Sequence, residues 1–324
     1  MNQNDAGLME VQFWGVRGSH PAPLTPDYIR QKIASVVQRI RPADVVSQDS
    51  RERFLATLPE DIFSTPGGNT TCIEVRPNDQ NLFIIDAGTG IIELGRKLRA
   101  GTIPNQEIHV FFTHFHYDHI QGLPFFVPAY NPGVTVHFYS PEPDIEFTLK
   151  DHMKHPYFPV TMQDFMTKKL VFHTIPTDTP IKFPGDVTVI AHQVRHPGRA
   201  YGYKVQNLDR SAIFVPDYEI LQEDFLPSPE AESFFFGADL LVLDTMYTLG
   251  EAIEKINWGH SSFSIGIEFA HKMQVKNLYL FHHEPVNDDR RMYTNLRSAE
   301  WFAQRMVGKK IHVFLAEEGK IVRL

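Results

Sequence analysis

A single cysteine, Cys72, in 324 residues leaves no intrachain disulfide and excludes any zinc site built of thiolates. No apolar run approaches the ~20 residues that a membrane-crossing helix needs, so no membrane partner is expected. Positive charge is also short: 31 Lys and Arg stand against 39 Asp and Glu, a formal net charge of −8. That balance does not favour life on a nucleic-acid polymer, which asks for a basic face. The opening residues Met1–Asp5 carry neither the basic stretch nor the apolar stretch of an export signal. The expectation is a cytoplasmic protein. What is present is a 42% hydrophobic share with 12% aromatics, ample for a packed core, and 16 histidines.

Apolar patterning predicts strands at Val11–Val16, Thr70–Val75, Leu82–Ile85, His109–Phe112 and Val134–Phe138. Others follow at Val187–Gln193, Ala200–Val205, Ser211–Val215, Leu240–Leu243, Leu278–Phe281 and Ile311–Phe314. Helical spacing appears at Ile29–Ile40, Arg51–Leu58, Ile91–Leu98, Ile145–Met153, Phe263–Lys272 and Ser298–Met306. Continuous apolar strands with helices between them predict an α/β protein with covered sheets. With no repeat and no linker, residues 1–324 read as a single domain carrying insertions at about 21–65 and 141–182. A lid or a homodimer contact is the use expected of those insertions.

The segment Thr113-His114-Phe115-His116-Tyr117-Asp118-His119 starts where a buried strand ends. Three imidazoles and a carboxylate this close can share a pocket only on a tight turn. They are ligand types for zinc, manganese or iron, and the missing thiols argue against a closed structural site. Asp86 ends another strand and reads as a hydrogen-bond partner of this loop; Arg17 is a candidate for a phosphate contact or an ion pair.

Further segments stand in a telling order: Phe13–Ser19, Gly67–Thr70, Ile85–Gly90, the His loop, His196-Pro197-Gly198, Asp217, Trp258-Gly259-His260-Ser261-Ser262 and His282-His283. On these motifs the sequence resembles the metallo-β-lactamase superfamily, and within it the phosphodiesterase branch of tRNase Z-like and cyclic-nucleotide phosphodiesterase-like proteins. The resemblance implies a four-layer αββα sandwich holding two divalent ions, zinc first, with manganese or iron as alternatives. It implies one ion on His114, His116 and His196, another on Asp118, His119 and His282, and Asp217 bridging them. His283 competes with His282, and Asp244 competes with Asp217, because each alternative also closes an apolar strand.

Two carboxylates would offset only half the charge of two divalent ions, so the pocket stays electropositive and suits an anionic substrate. The expected reaction is attack of metal-bound hydroxide on a small phosphodiester such as a cyclic nucleotide, with Asp118 and His260 as the catalytic side chains and His260 helping to protonate the leaving group. In tRNase Z-like enzymes a long tRNA-gripping arm lies between the third histidine motif and the bridging aspartate. Here that interval runs only from His196 to Asp217. A tRNase Z-like ribonuclease, a lactone or thioester hydrolase and a non-catalytic metal-binding sensor are the competing readings.

Overall fold

The computed structural model describes residues 8–98, 100–166, 169–308 and 310–324. Six strands build the first sheet in chain order: β1 (Glu10–Gly15), β2 (Cys72–Asn78), β3 (Asn81–Ile85), β4 (Glu107–Phe111), β5 (Thr135–Ser140) and β6 (Leu170–Thr174). The next seven build the second: β7 (Ile181–Phe183), β8 (Val187–Val194), β9 (Ala200–Asn207), β10 (Arg210–Val215), β11 (Leu240–Asp244), β12 (Asn277–Phe281) and β13 (His312–Leu315). Strand β14 (Ile321–Arg323) then crosses back to pair with β1. The spatial orders are β14-β1-β2-β3-β4-β5-β6 and β13-β12-β11-β10-β9-β8-β7. In each sheet four neighbouring strands run parallel, β3 to β6 and β10 to β13.

Alternation on the strands sorts side chains into three cores. Phe13, Phe83, Phe111, Tyr203, Phe214 and Phe281 fill the space between the sheets. Trp14, Ile84, Val110 and Phe138 face outward from the first sheet beneath helix Gly90–Lys97, which supplies Ile91 and Leu94. Ile213, Leu241, Leu243 and Leu280 do the same on the second sheet beneath helices Phe263–Lys272 and Asp289–Ala303. This is the four-layer αββα sandwich that the sequence predicts. Every parallel strand delivers its C-terminal end to one edge, where ligand loops gather in α/β proteins.

Several boundaries differ from the sequence reading. Residues 141–182, expected as an irregular insertion, contain β6 and β7, the terminal strands of both sheets. Their side chains are only half-buried, so they lack the strong apolar signal of central strands. The last helix begins at Asp289 rather than Ser298, because Asp288 caps it by accepting from the Arg291 N–H. Helices Pro229–Phe235 and Leu249–Glu254 and strand β14 are additional. Helix Pro26–Val37 lies where helical spacing puts it, yet none of its residues is buried. It is tied to the body through Lys32, which pairs with the buried Asp289 carboxylate at 2.6 Å.

At the far end of the inter-sheet core, three histidines pack on β4, β5 and β6. His109 bonds the Tyr139 hydroxyl at 3.0 Å and stacks on His137, which in turn meets His173 at 3.0 Å between ring nitrogens. Burial first, and then repulsion from His137 and His173, push the His109 pKa down to about 3. Above an unfolded value near 6.5 both states hold a neutral ring. Below it the unfolded chain takes up a proton that the folded chain refuses, so stability must fall as pH falls toward about 3. Urea unfolding at pH 7.5 and pH 5.0 should therefore show His109→Phe losing about 2 kcal/mol less than the parent protein over that interval. Equal losses in the two proteins would remove His109 as a source of acid sensitivity.

Candidate metal centre

The ligand-type side chains arrive from both sheets. The loop after β4 turns at His114 and passes into a single helical turn, Tyr117–Ile120, so that His114, His116, Asp118 and His119 all reach one pocket. The second sheet sends His196 from beyond β8, Asp217 from beyond β10 and His282 from beyond β12. His282 sits at φ +59, a left-handed conformation uncommon for a residue with a side chain. That turn swings it away from its neighbour: His283 bonds the Ala316 carbonyl through Nε2 at 2.9 Å and takes no part in the pocket.

Two groups of atoms share Asp217. Its Oδ1 lies 3.1 Å from His119 Nε2 and 3.2 Å from His282 Nε2, and Asp118 Oδ2 lies 3.3 and 3.2 Å from those same nitrogens. Its Oδ2 lies 3.8 Å from His114 Nε2 and 3.7 Å from His196 Nε2, and His196 Nε2 is 3.2 Å from His116 Nδ1. Four ligands held about 2.0–2.1 Å from a tetrahedral zinc ion stand about 3.3–3.4 Å apart. The first group has that spacing, and the second is slightly wider. His114 Nε2, His119 Nε2 and Asp217 Oδ1 are moreover buried without a hydrogen-bond partner, an unfavourable state for polar atoms unless something binds them. The donor set fits divalent metal binding.

The opposite ring edges are fixed. His119 Nδ1 donates to Asp86 at 2.8 Å, and His196 Nδ1 donates to the Gly259 carbonyl at 2.9 Å. His114 Nδ1 meets the Thr113 hydroxyl at 3.1 Å, and that hydroxyl donates to Asp86 at 2.7 Å. Asp86 is therefore the hydrogen-bond partner expected of it, orienting two rings at once. The Ser19 N–H donates to Asp118 Oδ2 at 2.8 Å. Asp244 is turned elsewhere: it accepts from Tyr218 N–H, Met246 N–H and His260 Nδ1, the last at 2.8 Å.

Electrostatics follow from this crowding. Burial works against charge on Asp118 and Asp217, yet the surrounding imidazoles hold both carboxyls well below the usual range. Burial, then repulsion from His119, drives His114 down. For His260 burial again opposes charge, but Asp244 and Asp217 outweigh it and raise the pKa to about 9. Cations beside it would push that value back down by repulsion.

Three supports escaped the sequence reading. A Cβ on Gly18 would stand 2.4 Å from the His282 ring, and one on Gly259, at φ +92, would stand 2.3 Å from His196 Nδ1. Both glycines lie inside the quoted motif segments, Phe13–Ser19 and Trp258–Ser262; what the sequence did not show is that each packs against a ring. Glu219 accepts from the Asn257 and Gly259 N–H groups at 2.7 and 3.1 Å and so fixes the loop carrying His260. Arg17 is buried and pairs with no carboxylate among the described residues; it donates to the carbonyls of Gly67, Glu284 and Asn287. The pocket opens into a cleft of about 510 Å³ lined by Ser19, Phe115, Tyr117, Asp118, His260 and His282 among others.

The family model of the beta-lactamase superfamily domain matches residues 81–283. By sequence the chain is similar to ribonuclease Z of Pyrococcus abyssi, 30% identical over 154 residues that make up 46% of each protein. The chain spans about half the length of the relatives it matches in this way. In fold it is similar to the metallo-beta-lactamase fold protein YhfI from Bacillus subtilis, with TM-score 0.65 at 15% identity over 98% of this chain and 100% of that one. It is equally similar to unliganded yeast PDE1, with TM-score 0.65 at 15% identity over 98% and 99%. At such identities the likeness is one of fold. The family match covers β3 through His283, the stretch that carries the His loop, His196, Asp217 and His282, and the chain belongs to the metallo-β-lactamase superfamily.

Proposed function

We propose that the protein is a binuclear metal-dependent phosphodiesterase acting on a small phosphodiester such as a cyclic nucleotide. The observation that carries this reading is the Asp217 carboxylate, which offers one oxygen to each of two ligand groups at the floor of an open cleft. His114, His116 and His196 would hold one ion, Asp118, His119 and His282 the other, and Asp217 both. When bound, two such ions supply Lewis acidity and lower the pKa of water at neutral pH. The chain's own residues supply the remainder. Asp118, fixed by the Ser19 N–H, keeps its charge at the cleft wall. His260, its Nδ1 proton held by Asp244, keeps Nε2 available to give a proton to the departing alkoxide.

The similarity to ribonuclease Z favours a second reading, cleavage of an RNA. Against it, the chain between His196 and Asp217 holds only the hairpin β9–β10, closed by Leu208 and Asp209, with no room for an RNA-gripping arm. A metal-reconstituted screen separates the readings: cyclic nucleotides beside an aryl phosphodiester, an RNA with a 3′ trailer, a lactone and a thioester. Preference for the RNA, or turnover of the lactone or thioester alone, would overturn the proposal.

Two further outcomes are expected. Elemental analysis of metal-replete protein should give close to two ions per chain, falling toward one in Asp118→Ala. Retention should fail as pH drops through the histidine range, because imidazoles must be unprotonated to bind. One tightly held ion, unaffected by Asp118→Ala, would end the binuclear reading. His260→Ala should keep both ions and lower kcat by about 10²–10⁴ on an alkoxide leaving group, and by much less on a nitrophenolate that needs no proton. Equal losses on both would make His260 a phosphate contact, and loss of an ion would make it a ligand.

A further inference from the structure

Beside the metal cleft lies a second hollow of about 570 Å³, and the two share the side chains of Phe115 and Tyr117. Its remaining aromatic walls are Phe125, Phe147, Tyr157 and Phe158. Tyr117 is 73% exposed, Phe147 70% and Tyr157 72%. Rings left that open are costly to keep in water unless something covers them. Phe125 and Phe158 meet edge to face at 5.7 Å between centroids, so this part of the wall is set before any ligand arrives.

The hollow is not uniformly greasy. Gln121, Thr148, Asp151 and His152 also line it. These polar groups adjoin the ring faces, so a ligand with one polar edge can pair with them. Two chain segments build the far wall, helix Ile145–His152 and the loop at Tyr157 and Phe158, both outside the strands that place the metal ligands. Flat ring faces, an adjoining hydrogen-bonding edge and direct continuity with a phosphate-sized cleft select a planar heterocycle joined to the reacting phosphate. An acyl chain would fill the apolar volume but would set hydrocarbon against the polar lining at Thr148 and Asp151.

We infer that this hollow is a subsite for the nucleobase of the substrate, stacking it between aromatic walls while the phosphate occupies the metal cleft. The inference rests on the phosphodiesterase reading for the position of the phosphate. Base stacking on an aromatic side chain typically changes affinity by about tenfold or more per base.

The test has two arms. In the first, metal-loaded protein is given 3′,5′-cyclic AMP and the same cyclic ribose phosphate with hydrogen in place of the base. Reaction centre and leaving group are then common to both. The base-bearing substrate should be favoured at least about tenfold in kcat/KM, mostly through KM, and Phe147→Ala/Tyr157→Ala should bring that ratio close to one. The two rings are exposed enough for the variant to fold, and its metal content and thermal unfolding verify this. In the second arm, calorimetry compares binding of AMP, ribose 5-phosphate and hexyl phosphate without any turnover. AMP should bind at least about tenfold more tightly than ribose 5-phosphate in the parent protein and no more tightly in the variant. A substrate ratio near one in the parent, an unchanged ratio in the variant, or hexyl phosphate binding as well as AMP would each overturn the subsite. Absence of all turnover alongside preferential, variant-sensitive AMP binding would sink the phosphodiesterase reading and leave the subsite standing.

Discussion

A carboxylate shut away from water needs positive charge or donors around it, and almost everything at the open edge of this sandwich answers that need for Asp217. It is 2% exposed and has imidazole nitrogens from His114, His119, His196 and His282 within 3.8 Å. Those rings would repel one another if each carried a proton, and a divalent cation held among them would meet the charge of the carboxylate. The polar atoms behind them extend the same solution outward. Asp86 and the Gly259 carbonyl take the far edges of His119 and His196, and Asp244 takes His260, so these three rings have little freedom to turn.

The fold places this charge where a backbone can tolerate it. Parallel strands end together, and the residues just past β3, β4, β10, β11 and β12 include Asp86, the His loop, Asp217, the end of Asp244 and His282. Left-handed backbone at Asp86 and His282, and glycines packed under two of the rings, are local costs carried at that edge. The three cores behind it are built almost wholly of large apolar side chains, so strain at the edge is held by packing elsewhere.

How much of this was legible depended on how far the information is spread along the chain. The His loop was readable because four donors lie within six residues, and the covered sheets were readable because their central strands are continuous apolar runs; their stacking into a four-layer sandwich came from the resemblance. Alternation along a strand says that one of two adjacent residues faces inward, but it cannot choose between His282 and His283; the left-handed turn at His282 makes that choice. Asp217 and Asp244 both close buried strands, and only the partners gathered from β11 and the His260 loop separate them. Strands β6 and β7 were hidden by their half-exposed composition, and the start of the last helix by the charged run Asp288–Arg291. The aromatic hollow was hard to read because its walls come from two segments, 115–125 and 147–158, that meet only in the folded chain.

The two sheets each own half of the candidate metal centre: the first supplies His114, His116, Asp118 and His119, and the second supplies His196, Asp217 and His282. The gap between the halves is set behind them, by Phe13, Phe111, Phe214 and Phe281 in the layer that both sheets share. That layer acts as a spacer gauge. Each ligand group draws side chains from both sheets, so trimming or enlarging one of the layer's rings, by changing how closely the sheets approach, alters the distances within each group. Chemistry at the rim is thus calibrated by a hydrocarbon thickness at the centre, and a substitution that never touches substrate can retune it.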